Sequence, residues 1–233
     1  MSEQPEEHSL NTTDNILKAE ISLYYDLKLG SLANAPLLIA LHGYGASKRH
    51  MMREAQLMAP DGFAIASLQG FHQHMRPAKE KGGPPRFGFG WLTNFRPEDS
   101  VALHHRALLD LIKRLVSDGT GDPNQIFLMG FSQSCALNYR FAFTHPDLLR
   151  GVIGICGGIP GDWETSDKYK HIEAAVFHLA GTQDEFYTPE RIQNYERQLG
   201  TRTKSLTFKS YDAGHDFTQP MRDDVKQWLT ERS

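Results

Sequence analysis

The feature that most constrains this chain is a series of short, continuous apolar runs separated by helix-length stretches. Residues 36–41 read Pro-Leu-Leu-Ile-Ala-Leu, residues 125–129 read Gln-Ile-Phe-Leu-Met, and residues 175–180 read Ala-Val-Phe-His-Leu-Ala. Runs this short, apolar at consecutive positions, are strands buried on both faces. The same pattern predicts strands over 63–68 and 152–156, and residues 205–211 also read as a strand. Residues 21–29 alternate apolar and polar side chains, as a half-exposed strand does. Helical periodicity falls between the strands, over 51–59, 97–115, 134–143, 189–199 and 222–232. Pro97, Glu98 and Asp99 open the longest of these, and acidic residues in a first turn suit the helix dipole. Strand–helix alternation with apolar strands folds into a mostly parallel sheet covered by helices on both faces. Chemistry in such sheets gathers beyond the carboxyl ends of the strands.

The chain has 233 residues, 39% of them hydrophobic, which is enough for one well-packed domain over residues 21–233. Residues 1–20 read as a polar tail. The first fifteen, MSEQPEEHSLNTTDN, hold neither a basic n-region nor an apolar h-region, so a cytoplasmic protein is expected. No apolar run approaches the roughly 18 residues of a membrane span. A formal net charge of −3 with no basic stripe argues against nucleic acid as a partner. Cys135 and Cys156 both lie in apolar surroundings and read as buried free thiols rather than a disulfide framework.

One segment breaks the rhythm. Residues 70–95, GFHQHMRPAKEKGGPPRFGFGWLTNF, are rich in glycine, proline and aromatics and have no periodicity. They read as a long loop packed over a pocket.

The chemistry sits at the strand ends. Gly130-Phe131-Ser132-Gln133-Ser134 departs from G-x-S-x-G only at its last position. A strand leads in and a helix leads out, so Ser132 falls on a sharp turn that presents its hydroxyl. A serine hydroxyl needs a positioned base. His215, in Ala213-Gly214-His215-Asp216-Phe217, follows the last strand and can supply it. A carboxylate should orient that imidazole. Asp184 follows the preceding strand, with Glu185 beside it as the rival. The chain order Ser, Asp, His is the order of an α/β-hydrolase. A tetrahedral intermediate also needs backbone donors. The amide of Gln133 and that of Tyr44, in Leu41-His42-Gly43-Tyr44-Gly45, are placed to give them, and His42 reads as a brace for that loop.

Six stretches, LIALHGYGAS, GWLTNF, MGFSQSCALNYRFAF, GGIPGDW, HLAGTQDEFYTPER and YDAGHDF, resemble in that order the phospholipase/carboxylesterase family of α/β-hydrolases, which includes acyl-protein thioesterases. The resemblance runs from about residue 36 to the end of the chain. It implies an α/β-hydrolase fold, a triad of Ser132, Asp184 and His215, and oxyanion amides at Tyr44 and Gln133. It also implies hydrolysis of carboxylic esters or thioesters with no cofactor and no metal. The sequence departs from the family at Ser134, where the family usually has glycine. The 70–95 segment is also longer than in the thioesterases, which favours a small ester over an acylated protein.

On this reading the protein is a serine carboxylesterase acting through an acyl-enzyme on Ser132. Its pocket is expected to be lined by Phe71, Phe89, Trp91 and Ile159. The expected partner is a small-molecule ester, and the sequence admits a homodimer. Two rivals remain: acyl-protein thioesterase or lysophospholipase-like activity, and a non-catalytic binding protein of the same fold. The remaining histidines have blander readings. His72 and His74 lack a third metal ligand at matching spacing and read as loop residues. His104 and His105 read as solvated or partly packed helix surface, and His178 as a satisfied core histidine.

Overall fold

The computed structural model describes residues 15–233. The first fourteen residues of the expected tail lie outside the described residues, and residues 15–20 are exposed and irregular. The elements run in the order β1 (Tyr25–Lys28), β2 (Ala35–Leu41), α1 (Lys48–Met58), β3 (Ala64–Leu68), β4 (His72–Arg76), β5 (Arg86–Gly90), α2 (Pro97–Ser117), β6 (Gly121–Phe131), α3 (Gln133–Thr144), β7 (Gly151–Ile155), β8 (Ala175–Gly181), α4 (Pro189–Ile192), α5 (Tyr195–Gly200), β9 (Leu206–Tyr211) and α6 (Gln219–Thr230). A seven-stranded sheet has the order β1-β3-β2-β6-β7-β8-β9. Its β1–β3 pair is antiparallel and every other pair is parallel. This is the mostly parallel sheet expected from the alternation, in the α/β-hydrolase arrangement that the resemblance implies.

The apolar runs become strands buried on both faces because neighbouring residues feed opposite cores. Leu37, Ile39, Leu41, Ile126 and Leu128 pack with α2 and α3 through Leu108, Leu111, Leu137 and Phe141. Leu38, Ala40, Phe127 and Met129 pack on the other face with α1 and α6 through Met51, Met58, Val225 and Trp228. Each fully buried aliphatic or aromatic side chain of this kind contributes about 1.5–3 kcal/mol relative to exposure.

Three elements differ from the sequence reading. The first strand covers only Tyr25–Lys28. Residues 189–199 form two short helices, α4 and α5, interrupted at Gln193 and Asn194. The 70–95 segment is not one aperiodic loop. Its flanks pair as the antiparallel hairpin β4–β5, with His74 opposite Gly88 and Met75 opposite Phe87. The hairpin is held to the loop after β2. Gly45 N–H donates to Phe89 O at 2.8 Å, and Phe89 N–H donates to Ala46 O at 3.2 Å. Glycine at positions 88 and 90 hid the strand from a pattern based on side chains.

Register brings the strand ends level. Leu41 pairs with Gly130, Phe131 with Ile155, Ile155 with Leu179, and Gly181 with Tyr211. The loops that leave β2, β6, β8 and β9 therefore emerge together along one edge.

Candidate active site

Ser132 sits between β6 and α3 with φ 56° and ψ −115°. A non-glycine residue at positive φ costs on the order of 1–3 kcal/mol and persists only where its surroundings hold it. Here Ser132 N–H donates to Ile155 O at 3.0 Å, and Ser132 O accepts from Cys135 N–H at 3.1 Å. The turn requires a glycine at 130. A Cβ there would stand 2.6 Å from Asn138 Nδ2 and 2.9 Å from Ser134 Oγ.

Asp184 and His215 are brought together by backbone bonds that continue past β8 and β9. Thr182 N–H donates to Tyr211 O at 2.8 Å, and Gln183 N–H donates to Ala213 O at 2.9 Å. His215 Nδ1 then lies 2.8 Å from Asp184 Oδ2. The other carboxylate oxygen accepts from the amides of Phe186 and Tyr187, each at 2.9 Å. Asp184 is buried, whereas Glu185 is exposed. Burial pushes the Asp184 carboxyl up, but the Tyr187 and Phe186 amides and His215 together outweigh it and hold it below the usual aspartate range. The carboxylate is therefore ionised and fixes Nδ1 of the imidazole as the protonated nitrogen, leaving Nε2 to act as a base. The ring is enclosed by Phe131 at 4.8 Å, Phe186 at 4.9 Å and Tyr187 at 6.0 Å between centroids. Phe131 precedes Ser132, so this contact joins the elbow to the histidine loop. Sequence reasoning missed all three rings, because aromatic residues on loops have no periodicity to mark them.

The Gln133 amide is the first of α3 and has no acceptor within the helix. Tyr44 lies on the loop after β2, and its ring is exposed and stacks on His74, with centroids 4.3 Å apart and planes 7° from parallel. A dense brace lies beneath. His42 is 1% exposed. Its Nε2 accepts from Gly70 N–H at 3.0 Å, and its Nδ1 donates to Gly43 O at 2.8 Å. That pattern requires the neutral ring, and burial accordingly lowers its pKa to about 4. The His42 carbonyl accepts from Trp91 Nε1 at 2.7 Å, and Trp91 N–H donates to Gln133 Oε1 at 2.9 Å. Arg76 Nη1 donates to Gly45 O at 2.9 Å. The hairpin, the loop after β2 and the elbow thus form one bonded unit. His42 has the bracing place expected of it. The parts played by Trp91, Arg76 and the Gln133 side chain had no motif to reveal them.

The four expected pocket residues do not act alike. Phe71 lines a cavity of about 710 Å³ together with Tyr44, Gln133, His72, Thr93 and Asn94. Trp91 is fully buried and forms no pocket surface, because its indole is taken up by His42 and by packing on Phe71 and His104. Ile159 packs against the core on the α2–α3 side, and Phe89 serves through its backbone bonds to Gly45 and Ala46. A second cavity, of about 440 Å³, has Leu92, Val101, Ala136, Leu137 and Pro160 in its wall and shares Gln133 with the first.

The other histidines also separate. His72 bonds Ser100 Oγ at 3.0 Å while His74 stacks on Tyr44, so the pair does not converge. Among the described residues, no group of three or more His, Cys, Asp or Glu side chains could hold a metal ion. His104 is not surface, since it is fully buried and shares the face of α2 that carries Ala107, Leu108 and Leu111. Burial lowers its pKa to about 3. His178 meets Tyr139 Oη at 2.8 Å through Nδ1, while its Nε2 has no partner among the described residues. Both cysteines are free and buried, and among the described residues no helix is long and apolar enough to cross a membrane.

The family model for phospholipases and carboxylesterases matches residues 27–232. The chain belongs to the phospholipase/carboxylesterase family. It is 24% identical to the putative hydrolase MhqD of Bacillus subtilis, over 84% of this chain and 92% of that protein. It is 30% identical to the putative esterase NocK of Nocardia uniformis subsp. tsuyamanensis, but over 54% of this chain and only 33% of that one. The chain thus spans a third of NocK and nearly all of MhqD. Among solved structures, the Bacillus cereus carboxylesterase superposes with a TM-score of 0.71 at 18% identity, covering 91% of this chain and 95% of that one. Esterase PE8 gives a TM-score of 0.71 at 20% identity, over 91% and 100%. At such identities these structures establish the fold.

Proposed function

We propose that this protein is a serine hydrolase that cleaves carboxylic esters through an acyl-enzyme on Ser132. The observation that carries the reading is the bond from His215 Nδ1 to Asp184 Oδ2, with that carboxylate kept ionised by two backbone amides and His215 on the loop beside the strained Ser132 elbow. In the first step Ser132 Oγ attacks the acyl carbon and His215 Nε2 takes its proton. The carbonyl π electrons move to oxygen, where the Tyr44 and Gln133 amides meet the charge. The carbon–oxygen bond to the alcohol then breaks, and the alcohol leaves with the proton from His215. Water repeats the sequence on the acyl-enzyme, giving the acid and restoring Ser132. Asp184 stays ionised and stabilises the imidazolium.

A small ester is the substrate we infer: two modest cavities share Gln133, the residue after Ser132, and one has Leu92, Val101, Ala136 and Leu137 in its wall beside Glu98, Arg140 and Lys168. The test is turnover of short-chain p-nitrophenyl esters by the wild type and by Ser132→Ala. The variant should keep its circular dichroism and melting temperature and lose turnover by a factor of about 10³ or more. Turnover retained by folded Ser132→Ala would refute the assignment.

A further inference from the structure

The relaxed position of the elbow pentapeptide has a structural consequence. Ser134, at the place of the last glycine in G-x-S-x-G, is fully buried. Its Oγ accepts from Phe131 N–H at 2.9 Å and lies 2.9 Å from Leu41 O and 3.0 Å from Phe131 O, either of which takes its single proton. The hydroxyl therefore stands between β6 and β2 one step beyond their last paired residues, Leu41 and Gly130. That is where both strands end and the two candidate oxyanion segments begin. Tyr44 lies three residues past Leu41, and Gln133 two past Phe131. The side chain has room because Gly130 carries no Cβ. The loop and the elbow are also in contact just beyond it. A Cβ on Gly43 would stand 2.9 Å from Phe131 Cδ1 and 3.1 Å from Ser132 Cβ.

We propose that Ser134 is a positioning residue for the proposed hydrolysis, its hydroxyl fixing the end of β2 to the elbow and so setting the spacing of the Tyr44 and Gln133 amides. The inference rests on the reading of Ser132 as nucleophile. Ser134 does not touch the substrate. It acts through Leu41 and Phe131. Donors to a developing oxyanion are effective in proportion to how well they are held before the reaction, and small displacements of a catalytic group are costly. A glycine at 134 would leave the Phe131 amide and the Leu41 carbonyl without this shared partner.

The test compares wild type, Ser134→Ala and Ser134→Gly after titrating active sites with a fluorophosphonate. Ser134→Gly restores the G-x-S-x-G pattern, so it guards against an Ala variant that fails to fold. Two quantities are then measured per titrated site: kcat and KM on a p-nitrophenyl ester, and Ki for an alkyl trifluoromethyl ketone. With that ketone, Ser132 Oγ bonds to the carbonyl carbon, its proton passes to His215, and the former carbonyl oxygen becomes an oxyanion. The expected result is kcat lower by about tenfold or more, KM within about twofold, and Ki raised in step with the loss of kcat. Unchanged kcat and Ki per titrated site would overturn the proposal, whether or not the titratable fraction falls, because Ser134 would then serve folding alone. If wild type itself is neither labelled nor bound by the ketone, the hydrolase reading fails and takes the proposal with it.

Discussion

Replacing Asp184 by asparagine separates orientation of the base from packing. Asp184 uses one oxygen for the Phe186 and Tyr187 amides and the other for His215 Nδ1. In Asp184→Asn the carbonyl oxygen stays with the two amides, since an NH2 group there would face two donors. The NH2 then points at His215 Nδ1, which must become the acceptor. The imidazole proton moves to Nε2, and the ring can no longer take the Ser132 proton. The loss should approach what a reversed tautomer costs other triads, about 10⁴ in kcat. That is about 5.4 kcal/mol at 1.36 kcal/mol per decade. Stability should barely change, because both amide bonds survive. Asp184→Ala gives up those bonds too and should lose about 2 kcal/mol of stability besides. The assay is kcat on a p-nitrophenyl ester with melting temperatures measured alongside, and Glu185→Gln as the control. An Asp184→Asn enzyme within tenfold of wild type would refute the assigned geometry.

Other consequences follow from the same structure. Gly90→Ala would set a Cβ 3.0 Å from the Tyr44 ring and 3.3 Å from Gln133 Oε1, so kcat should fall by about tenfold with the fold retained; steady-state kinetics with a circular dichroism spectrum would test this. Burial holds the pKa of His42, His105 and His178 at about 4 and that of His104 at about 3. Unfolded histidines bind protons near pH 6.5, so below that pH the unfolded chain carries more protons than the folded one, and stability falls as the pH drops toward about 4. Melting temperatures between pH 8 and pH 4 should show this decline, and His104→Leu, which removes the most strongly lowered of these groups, should make it shallower.

The sheet was legible because fully buried parallel strands leave continuous apolar runs, and the residues around Ile39, Phe127 and Val176 could be read no other way. Ser132 and Asp184 were legible as candidates because each follows such a run, and His215 because it follows the last strand, whose residues 206–211 are only partly buried. What stayed hidden is what periodicity does not record. β5 alternates Phe87 and Phe89 with Gly88 and Gly90, and glycine at every second position of a Gly/Pro-rich segment reads as loop rather than strand. Trp91 was placed near the site but given the wrong role, since a sequence does not say whether an indole faces a cavity or a carbonyl. His104 was read as surface because a polar letter on an amphipathic helix usually is, and its burial follows from the tertiary fit of α2 against Trp91 and Phe141. Ser134 was noticed as a mismatch, and only the positions of Leu41 and Phe131 give it a task.

The most direct test of the central claim is the intact mass of the protein after incubation with a fluorophosphonate, followed by peptide mapping. The account predicts a single adduct on Ser132 in wild type, none in Ser132→Ala, and strongly slowed labelling in Asp184→Asn. Folded wild-type protein that takes up no adduct, or an adduct on another residue, would contradict it.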